Sequence, residues 1–322
     1  MTSKLFQFVP QYKETIWGGQ RLLPFKGLQP DGRAIGESWE VSGVPGHESV
    51  IADGPDKGLT LDALCAREGT TLLGKDNWER FGTSFPLLIK FIDAAQPLSV
   101  QVHPDDKIAQ ERHHCPGKTE MWYMVDTAPD AYILDGFSHK ITPDEYASRV
   151  ADQTLPEVLR RIDVRPGDVF FLPPGRVHSI GPGCFICEIQ ETSDITYRIY
   201  DFGRTDSQGR QRQLHIEEAR DVISYAVSEP DTTPVVKDNE PQTVVSCRHF
   251  TTSVYRLTES ITCDYSDLDS FVILICTSGT CDVRCDGESV TLRAGQTVLV
   301  SAAAEHVVLE PSASATLLEC YV

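Results

Sequence analysis

The chain has 322 residues, of which 40% are hydrophobic, so it can form one large domain or two medium domains with cores of their own. It contains 29 Lys and Arg residues and 47 Asp and Glu residues, which gives a net charge of −18. This negative charge disfavours nucleic acid and anionic lipid as partners. The sequence shows neither an export signal nor a run of about eighteen apolar residues, which predicts a soluble cytoplasmic protein with no membrane partner.

The first third of the sequence predicts short strands and a few helices. Residues 37–43 and 47–53 alternate in polarity as strands do, and a pair of helices is expected around residues 60–81. Two adjoining strands follow in residues 85–103, and the polar segment 105–114 predicts a short helix.

Two helix starts are expected in the middle of the chain. Thr142 can cap the start of a helix, and Pro143 suits its first turn. Glu145, three positions after Thr142, completes a capping-box pattern. These residues predict a helix that extends to about Val150. Thr154 predicts a second capped helix in the segment that follows it.

The second half of the sequence predicts strands and turns. Between them, the segment 227–243 is rich in proline and acidic residues and is expected to be a surface connection. This division predicts a first domain over residues 1–226, with N-terminal strands and a helical insertion, and a second β domain over residues 244–322.

Residues 166–180 and 294–308 share a turn glycine, an apolar strand, a small-residue turn and a histidine. The histidines are His178 and His306, each eleven positions after its glycine. Two copies of one β-barrel unit would explain this repeat, and chance similarity of two hairpins is the alternative. His306 has no accompanying acidic and histidine residues, so it is expected to be structural.

The ten cysteines lack the dense spacing of a small disulfide-bonded domain, so they are expected to be reduced thiols. Cys184 and Cys187 match a CxxC pattern within a strand-like run. Side chains three positions apart in a strand point to opposite faces, which argues against a shared metal site.

The stretch PLSVQVHPDD, residues 97–106, begins a candidate site. Gln101 and His103 are two positions apart, so in an extended chain both side chains point to one face. His113 and His114, in contrast, lie in a probable loop and are expected to be solvated.

Two further residues complete the candidate site. Glu120 begins an apolar strand after a Pro-Gly loop, and His178 begins a strand after a similar turn, an arrangement that aims side chains into the mouth of a small barrel. Together with Gln101 and His103 they suit zinc or another divalent first-row ion. The alternative is a hydrogen-bonded barrel histidine at His103 and a simple pairing of Glu120 with Lys118.

The sequence resembles the type I mannose-6-phosphate isomerases, in their short bacterial form. The resemblance covers about residues 8 to 225 and is carried by YKETIWGG, GESWEVSG, PLLIKFIDAAQPLSVQVHPDD, GKTEMWYM and GDVFFLPPGRVHSIGPGCFICEIQETSDITYRIYDFGR. A weaker likeness continues to the end of the chain as a degenerate second barrel.

The resemblance implies a mainly β protein with a cupin-type barrel (jelly roll) repeated twice and a few helices. It also implies a zinc-dependent isomerase that interconverts mannose 6-phosphate and fructose 6-phosphate through an enediolate, with one Zn²⁺ per chain and a small sugar phosphate as its partner. The family's zinc ligands fall on Gln101, His103, Glu120 and His178, and Gln101 is the least secure of them. The assembly is expected to be a monomer or a small homo-oligomer.

The resemblance assigns further residues to the site. The family's active-site arginine falls on Arg198, its motif lysine on Lys118 and a further carboxylate on Glu188, which are the expected catalytic residues. Lys118 and Glu188 are alternative proton carriers. Trp17 is expected to line the substrate pocket together with Lys118 and Arg198. The sequence lacks the large helical insertion of the longer eukaryotic members.

Two other functions fit parts of the same pattern. An iron-dependent dioxygenase of the cupin type would also use histidines and a carboxylate, but Gln101 in place of a third histidine disfavours it. A sugar-phosphate-binding protein without catalysis would keep the barrel, although all the motif positions are present together.

Overall fold

The computed structural model describes residues 3–205, 208–227 and 233–322, and these residues form mainly strands. The helices are α1 Leu22–Phe25, α2 Leu61–Glu68, α3 Thr70–Leu73, α4 Lys75–Phe81, α5 Asp106–His113, α6 Pro143–Ala151 and α7 Ile216–Arg220, with one 3-10 turn at Leu155–Val158. None of the helices in the described ranges has the length and apolar character needed to cross a membrane.

The strands form three antiparallel sheets. In chain order they are β1 Leu5–Phe6, β2 Gln11–Gly19, β3 Ile35–Ser42, β4 Leu87–Asp93, β5 Val100–Val102, β6 Glu120–Thr127, β7 Tyr132–Phe137, β8 Leu159–Asp163, β9 Val169–Leu172, β10 His178–Ile180, β11 Cys184–Glu191, β12 Tyr197–Tyr200, β13 Gln242–Ser246, β14 Thr251–Leu257, β15 Ile261–Asp264, β16 Val272–Cys285, β17 Glu288–Arg293, β18 Thr297–Val300 and β19 His306–Tyr321.

The pairing of the strands defines a six-, a five- and an eight-stranded sheet. The six-stranded sheet has the order β2-β3-β4-β11-β6-β9, and the five-stranded sheet has the order β12-β5-β10-β7-β8. The eight-stranded sheet has the order β1-β18-β16-β19-β14-β13, with β15 beside β19 and β17 beside β16. The mainly β character with few helices is therefore confirmed.

The six-stranded sheet is the middle layer, because its two faces pack against different sheets. In β11, Ile186 joins an apolar cluster with Ile180 of the five-stranded sheet. The neighbouring Cys187 instead joins a different apolar cluster. That cluster contains Ile273 of β16 in the eight-stranded sheet and Phe271, which immediately precedes β16. Alternation along a strand thus sends successive side chains to the two sides of this layer.

The eight-stranded sheet encloses a second core of its own, which includes Leu257, Leu274, Val283 and Leu317. Its edge strand β1 comes from the start of the chain and pairs with β18. The predicted connection 227–243 falls partly on residues 228–232, which lie outside the described residues, and its last two residues belong to β13. The proposed domain boundaries and the duplication of a cupin barrel stay predictions.

The cysteine predictions agree with the structure. All ten cysteines lie within the described residues, and each is a free thiol. Cys184 and Cys187 pack into different apolar clusters on the two faces of β11. Burial raises the pKa of Cys184 to about 12, as expected of a protonated core thiol.

Two of the predicted elements in the first third of the chain are wrong in detail. Residues 47–53 form no strand, and only isolated bridges occur at Val50 and Ile51. The expected helical pair is three helices, α2 to α4, because the chain turns at Gly69 and Gly74, whose φ angles are +53° and +84°. Glycine adopts these positive φ values without the steric cost of a Cβ atom.

The two predicted helix starts have different outcomes. Thr142 caps α6 as predicted, because its side chain accepts a hydrogen bond of 3.1 Å from the Glu145 N–H. The predicted helix after Thr154 is wrong. Thr154 makes no capping hydrogen bond. A single 3-10 turn follows it and leads directly into strand β8, which pairs with β7.

These two threonines provide a matched test of the cap. Replacement of Thr142 by Ala should lower the free energy of unfolding by about 1 kcal/mol, since it leaves an N–H group of the first turn of α6 without its acceptor. Replacement of Thr154 by Ala should change the free energy of unfolding by less than about 0.5 kcal/mol. Urea unfolding of both variants measures the difference, and equal losses would contradict the assignment of the cap.

Candidate active site

The five-stranded sheet brings three predicted site residues into one row. Gln101 of β5 is opposite His178 of β10 on one side and Arg198 of β12 on the other. Directly opposed residues of antiparallel strands point to the same face, so the three side chains share one face of the sheet. His103 follows β5 two positions after Gln101 and belongs to the same face.

The six-stranded sheet supplies the acidic and basic residues that face this row. Glu120 is the first residue of β6 and is completely buried. Glu188 of β11 is opposite Lys90 of β4 and Trp122 of β6. The candidate site therefore lies between the two sheets.

Glu120 and the two histidines form a compact group of metal-ligand type. Their ligand atoms all lie within 4.8 Å of one another. His178 Nε2 is 3.1 Å from Glu120 Oε1, and His103 Nε2 is 3.6 Å from Glu120 Oε2. Gln101 is beside the group, with its amide Nε2 3.3 Å from His178 Nε2. All four predicted metal ligands are thus close together, although their role as ligands stays a prediction.

Backbone carbonyl groups fix the tautomers of the two histidines. His103 Nδ1 is 2.8 Å from the carbonyl oxygen of Ile195, and His178 Nδ1 is 2.8 Å from that of Arg176. Because a carbonyl oxygen only accepts hydrogen bonds, each Nδ1 carries a proton and donates it. In the neutral form of either ring the lone pair sits on Nε2 and points toward Glu120, which is the usual arrangement of metal-binding histidines.

The charge state of the group is set by burial and by Lys118. Burial alone would raise the pKa of Glu120, but the adjacent Lys118 ammonium holds that pKa well below its usual range. Burial and the same ammonium lower the pKa of His103 well below its ordinary value. The group is therefore one carboxylate beside neutral imidazole, with Lys118 Nζ in contact with Glu120 and 3.2 Å from His103 Nε2.

The residues fit a bound divalent cation. Glu120 Oε1 is buried and has no hydrogen-bond donor among the described residues. When His178 is neutral, its Nε2 presents a lone pair to this oxygen at 3.1 Å, so two electron-rich atoms face each other in the buried interior. A cation between such atoms satisfies both, and two histidines with one carboxylate are a common zinc-binding set. Rotation of the Gln101 amide would add an oxygen.

Glu188 occupies a second buried position next to this group. Its Oε2 accepts a hydrogen bond of 2.8 Å from Trp122 Nε1, and its Oε1 is 3.1 Å from Lys90 Nζ. Lys118 Nζ is 3.9 Å from the same Oε1. Burial opposes the charge of Lys90, but Glu188 and Glu37 outweigh it and raise the pKa of this lysine. Glu188 thus joins Lys118 and Lys90 in one charged network.

Arg198 differs from the other cations near the site because it has no acidic partner. Its guanidinium donates to Ser99 Oγ at 3.3 Å and to the carbonyl oxygen of Gln213 at 3.1 Å. No carboxylate of the described residues lies within salt-bridge distance of it. Burial lowers the pKa of Arg198 from its ordinary value, and Arg212 nearby adds to this effect. A half-buried guanidinium without a counter-ion is suited to binding an anion.

Trp17, His113 and His114 are not members of the ligand group. The Trp17 side chain is buried in an apolar cluster with Ile92 and Trp122. Its role in substrate binding stays a prediction. His113 and His114 are exposed, as predicted from the sequence.

Sequence reasoning missed two buried charged residues at the site. Lys90 holds Glu188, and Asp135 lies opposite His178 in the five-stranded sheet. Asp135 is completely buried and accepts from Arg160 and Arg176, at 2.7 and 2.9 Å. Each is a single charged residue within an otherwise apolar run, PLLIKFI or AYILDGF, and that pattern was the available signal.

Comparisons with known proteins agree on one family. Residues 5–142 match the family model for the catalytic domain of type I phosphomannose isomerase. The chain is 40% identical over 243 residues to a probable mannose-6-phosphate isomerase of Bacillus subtilis, with 74% of each chain covered. It is 38% identical over 259 residues to a mannose-6-phosphate isomerase of Streptococcus mutans, with 78% of each chain covered.

A solved structure extends this similarity over the full length. The mannose 6-phosphate isomerase of Bacillus subtilis superposes with a TM-score of 0.85 at 28% identity, covering 99% of this chain and 100% of that one.

The ion pair of Lys90 and Glu188 should be essential to the stability of the interior. Replacement of Lys90 by Met should lower the free energy of unfolding by about 3 to 5 kcal/mol, because it leaves the Glu188 carboxylate buried without its closest cation. Adding Glu188→Gln should recover about half of this loss by removing the unpaired charge. Urea unfolding of the single and double variants measures both effects.

The exposed pair of Lys237 and Glu240, whose nitrogen and oxygen are 3.4 Å apart, provides the control. Lys237→Met should change the free energy of unfolding by less than about 0.5 kcal/mol. A Lys90→Met loss as small as that of Lys237→Met would show that the buried pair does not stabilise the fold.

Proposed function

The chain belongs to the type I phosphomannose isomerase family, and on that premise we propose that it interconverts mannose 6-phosphate and fructose 6-phosphate at a zinc site between the six- and five-stranded sheets. The observation that carries this proposal is the buried Glu120 carboxylate, with one oxygen lacking a donor and two imidazole lone pairs directed at it.

His103, Glu120 and His178 would hold the zinc ion, with Gln101 as the fourth candidate ligand. One carboxylate and neutral ligands would leave a net positive charge at the zinc ion, which suits an anionic sugar phosphate. When bound, Zn²⁺ supplies Lewis-acid polarisation of the carbonyl and hydroxyl groups that exchange during isomerisation. We propose one ion per chain.

Arg198 would bind the phosphate of the substrate. It shares a sheet face with Gln101 and has no carboxylate partner among the described residues, so its guanidinium is free to make two hydrogen bonds to a dianion. The anchor fixes the distance from the phosphate to the reacting carbons, which lowers the entropic cost of orienting the substrate.

The isomerisation itself requires a proton carrier. A proton leaves C2 of the aldose and another is delivered to C1, while the hydroxyl proton moves from O2 to O1 by way of an enediolate. Lys118 and Glu188 are the candidates. Both oxygens of Glu188 are already engaged by Trp122 and Lys90, whereas Lys118 Nζ lies at the ligand group itself. This geometry favours Lys118, in its neutral amine form, as the group that takes the proton from C2, with Glu188 Oε1 3.9 Å from its Nζ.

We propose the same domain organisation as the family likeness implies. Residues 1–226 would form the catalytic cupin domain, and residues 244–322 a second cupin-like domain. The matching positions of His178 and His306, each at the first residue of a strand after a turn, support a common origin of the two units. Trp17 would support the wall of the substrate pocket through its packing against Trp122.

The test is a coupled assay of fructose 6-phosphate formation from mannose 6-phosphate by the zinc-loaded protein. Arg198→Ala should raise KM for mannose 6-phosphate by about 10- to 100-fold with zinc still bound, because each lost charge-assisted hydrogen bond weakens binding by about 1.5 to 3 kcal/mol. Arg284→Ala removes an exposed arginine of β16 and should leave KM unchanged.

Two results would contradict the assignment. A normal KM in the Arg198→Ala variant would remove the phosphate anchor from this residue. Binding of mannose 6-phosphate by the wild type without turnover would instead favour a sugar-phosphate-binding protein that has lost the chemistry.

A further inference from the structure

The segment that carries Lys118 and Glu120 is held from the side opposite to the active site. Lys118 and Glu120 face the ligand group, so Thr119 between them faces the other way, toward the eight-stranded sheet. The same alternation applies to β11, where Gln190 is opposite Glu120 and the next residue, Glu191, points to the far side.

Glu191 holds Thr119 through two hydrogen bonds. Its side-chain Oε1 accepts from the Thr119 N–H at 2.7 Å, and its own N–H donates to the Thr119 carbonyl oxygen at 3.1 Å. Because both peptide groups of Thr119 link directly to Lys118 and Glu120, these bonds fix the positions from which the two site residues project.

The remaining oxygen of Glu191 is held by a residue of the other sheet. His249, in the turn between β13 and β14, places Nδ1 2.9 Å from Glu191 Oε2. The turn is closed by a hydrogen bond of 3.0 Å from the Cys247 N–H to the Phe250 carbonyl oxygen. Phe250 is buried in the apolar cluster shared by the two sheets, so the turn is anchored there.

A second carboxylate meets His249 at the same point. Asp106, at the start of α5, accepts from the Gly117 N–H at 3.0 Å, one residue before Lys118. Ligand atoms of Asp106, Glu191 and His249 all lie within 4.8 Å of one another. Both carboxylates that hold the backbone of residues 117–119 therefore converge on one imidazole.

This second group is better explained as an ion pair than as a metal site. One oxygen of Glu191 is already satisfied by the Thr119 N–H, and its hydrogen bond raises the pKa of His249, which favours the imidazolium over a ligand lone pair. An imidazolium neutralises Glu191 and Asp106 without competing for the hydrogen bonds that they accept from the backbone.

We propose that His249 is a positioning residue for the isomerisation: by pairing with Glu191 across the interface between the sheets, it holds Thr119 and thereby places Lys118 and Glu120 at the metal site. The inference rests on the function proposed above. It gives the eight-stranded sheet a direct part in the active site, although none of the proposed ligand or catalytic residues belongs to that sheet.

His249→Ala should therefore damage catalysis more than folding. Without the imidazole, Glu191 Oε2 loses its partner and the carboxylate is free to turn toward water, which loosens the Thr119 hydrogen bond. Residues that orient metal ligands typically contribute 10- to 100-fold to metal affinity or activity. We expect kcat to fall about tenfold and the zinc dissociation constant to rise about tenfold, while KM changes less than twofold.

The matched control is His306→Ala. It also removes a histidine beside a carboxylate, Asp264 at 3.6 Å, but both residues belong to the eight-stranded sheet. This variant should keep wild-type kcat and zinc affinity. Equal effects of the two substitutions would overturn the proposal, because they would reflect general perturbation of that sheet.

A double-mutant cycle with Glu191→Gln separates positioning from stability. The glutamine keeps an oxygen for the Thr119 N–H but loses the charge that pairs with His249. If the pair acts as a unit, the double variant should lose no more activity than the more damaged single variant. Losses that multiply, or a lowered melting temperature with unchanged kcat, would overturn the proposal.

The zinc measurement keeps this test separate from that of the enzymatic function. A wild type without isomerase activity would contradict the proposed function alone, and weaker zinc binding by His249→Ala would still support the positioning role. Equal zinc affinities and equal kcat values for wild type and His249→Ala would overturn that role.

Discussion

The burial of the Glu120 carboxylate is the constraint on which the rest of the site depends. An ionised carboxylate in a dry interior is strongly unfavourable unless cations and hydrogen-bond donors compensate it. Glu120 has Lys118 on its own segment and two imidazoles from the facing sheet, yet one of its oxygens still lacks a donor. A bound cation would complete this arrangement. A buried oxygen without a donor destabilises the fold locally, and such exceptions are typical of functional sites.

The middle position of the six-stranded sheet lets one strand segment serve two purposes. Even-numbered residues 118 and 120 face the proposed chemistry, and Thr119 between them faces the eight-stranded sheet. In β11, likewise, Glu188 faces the proposed active site and Glu191 faces the eight-stranded sheet. A contact on the outer side can thus change the position of a catalytic group without touching it.

Local sequence patterns were sufficient to predict the core of the site but not its support. Gln101 and His103 follow from strand periodicity, and Glu120 and His178 from their places at strand starts after turns. The pairing of Lys90 with Glu188 depends on strand register, and that of His249 with Glu191 on sheet packing. A lone charge in an apolar run marks Lys90 as unusual, but neither pairing partner can be identified from the local sequence. The failed helix after Thr154 has the same origin, since pairing with β7 overrode the local capping signal.

We propose that turnover depends on a zinc ion held by His103, Glu120 and His178. This dependence is tested most directly by measuring zinc content and mannose 6-phosphate isomerisation on the same samples during chelation and re-addition of zinc. Activity should fall in proportion to zinc content, approach zero in the zinc-free protein and return at one ion per chain. Full turnover in protein without a bound metal ion would contradict it.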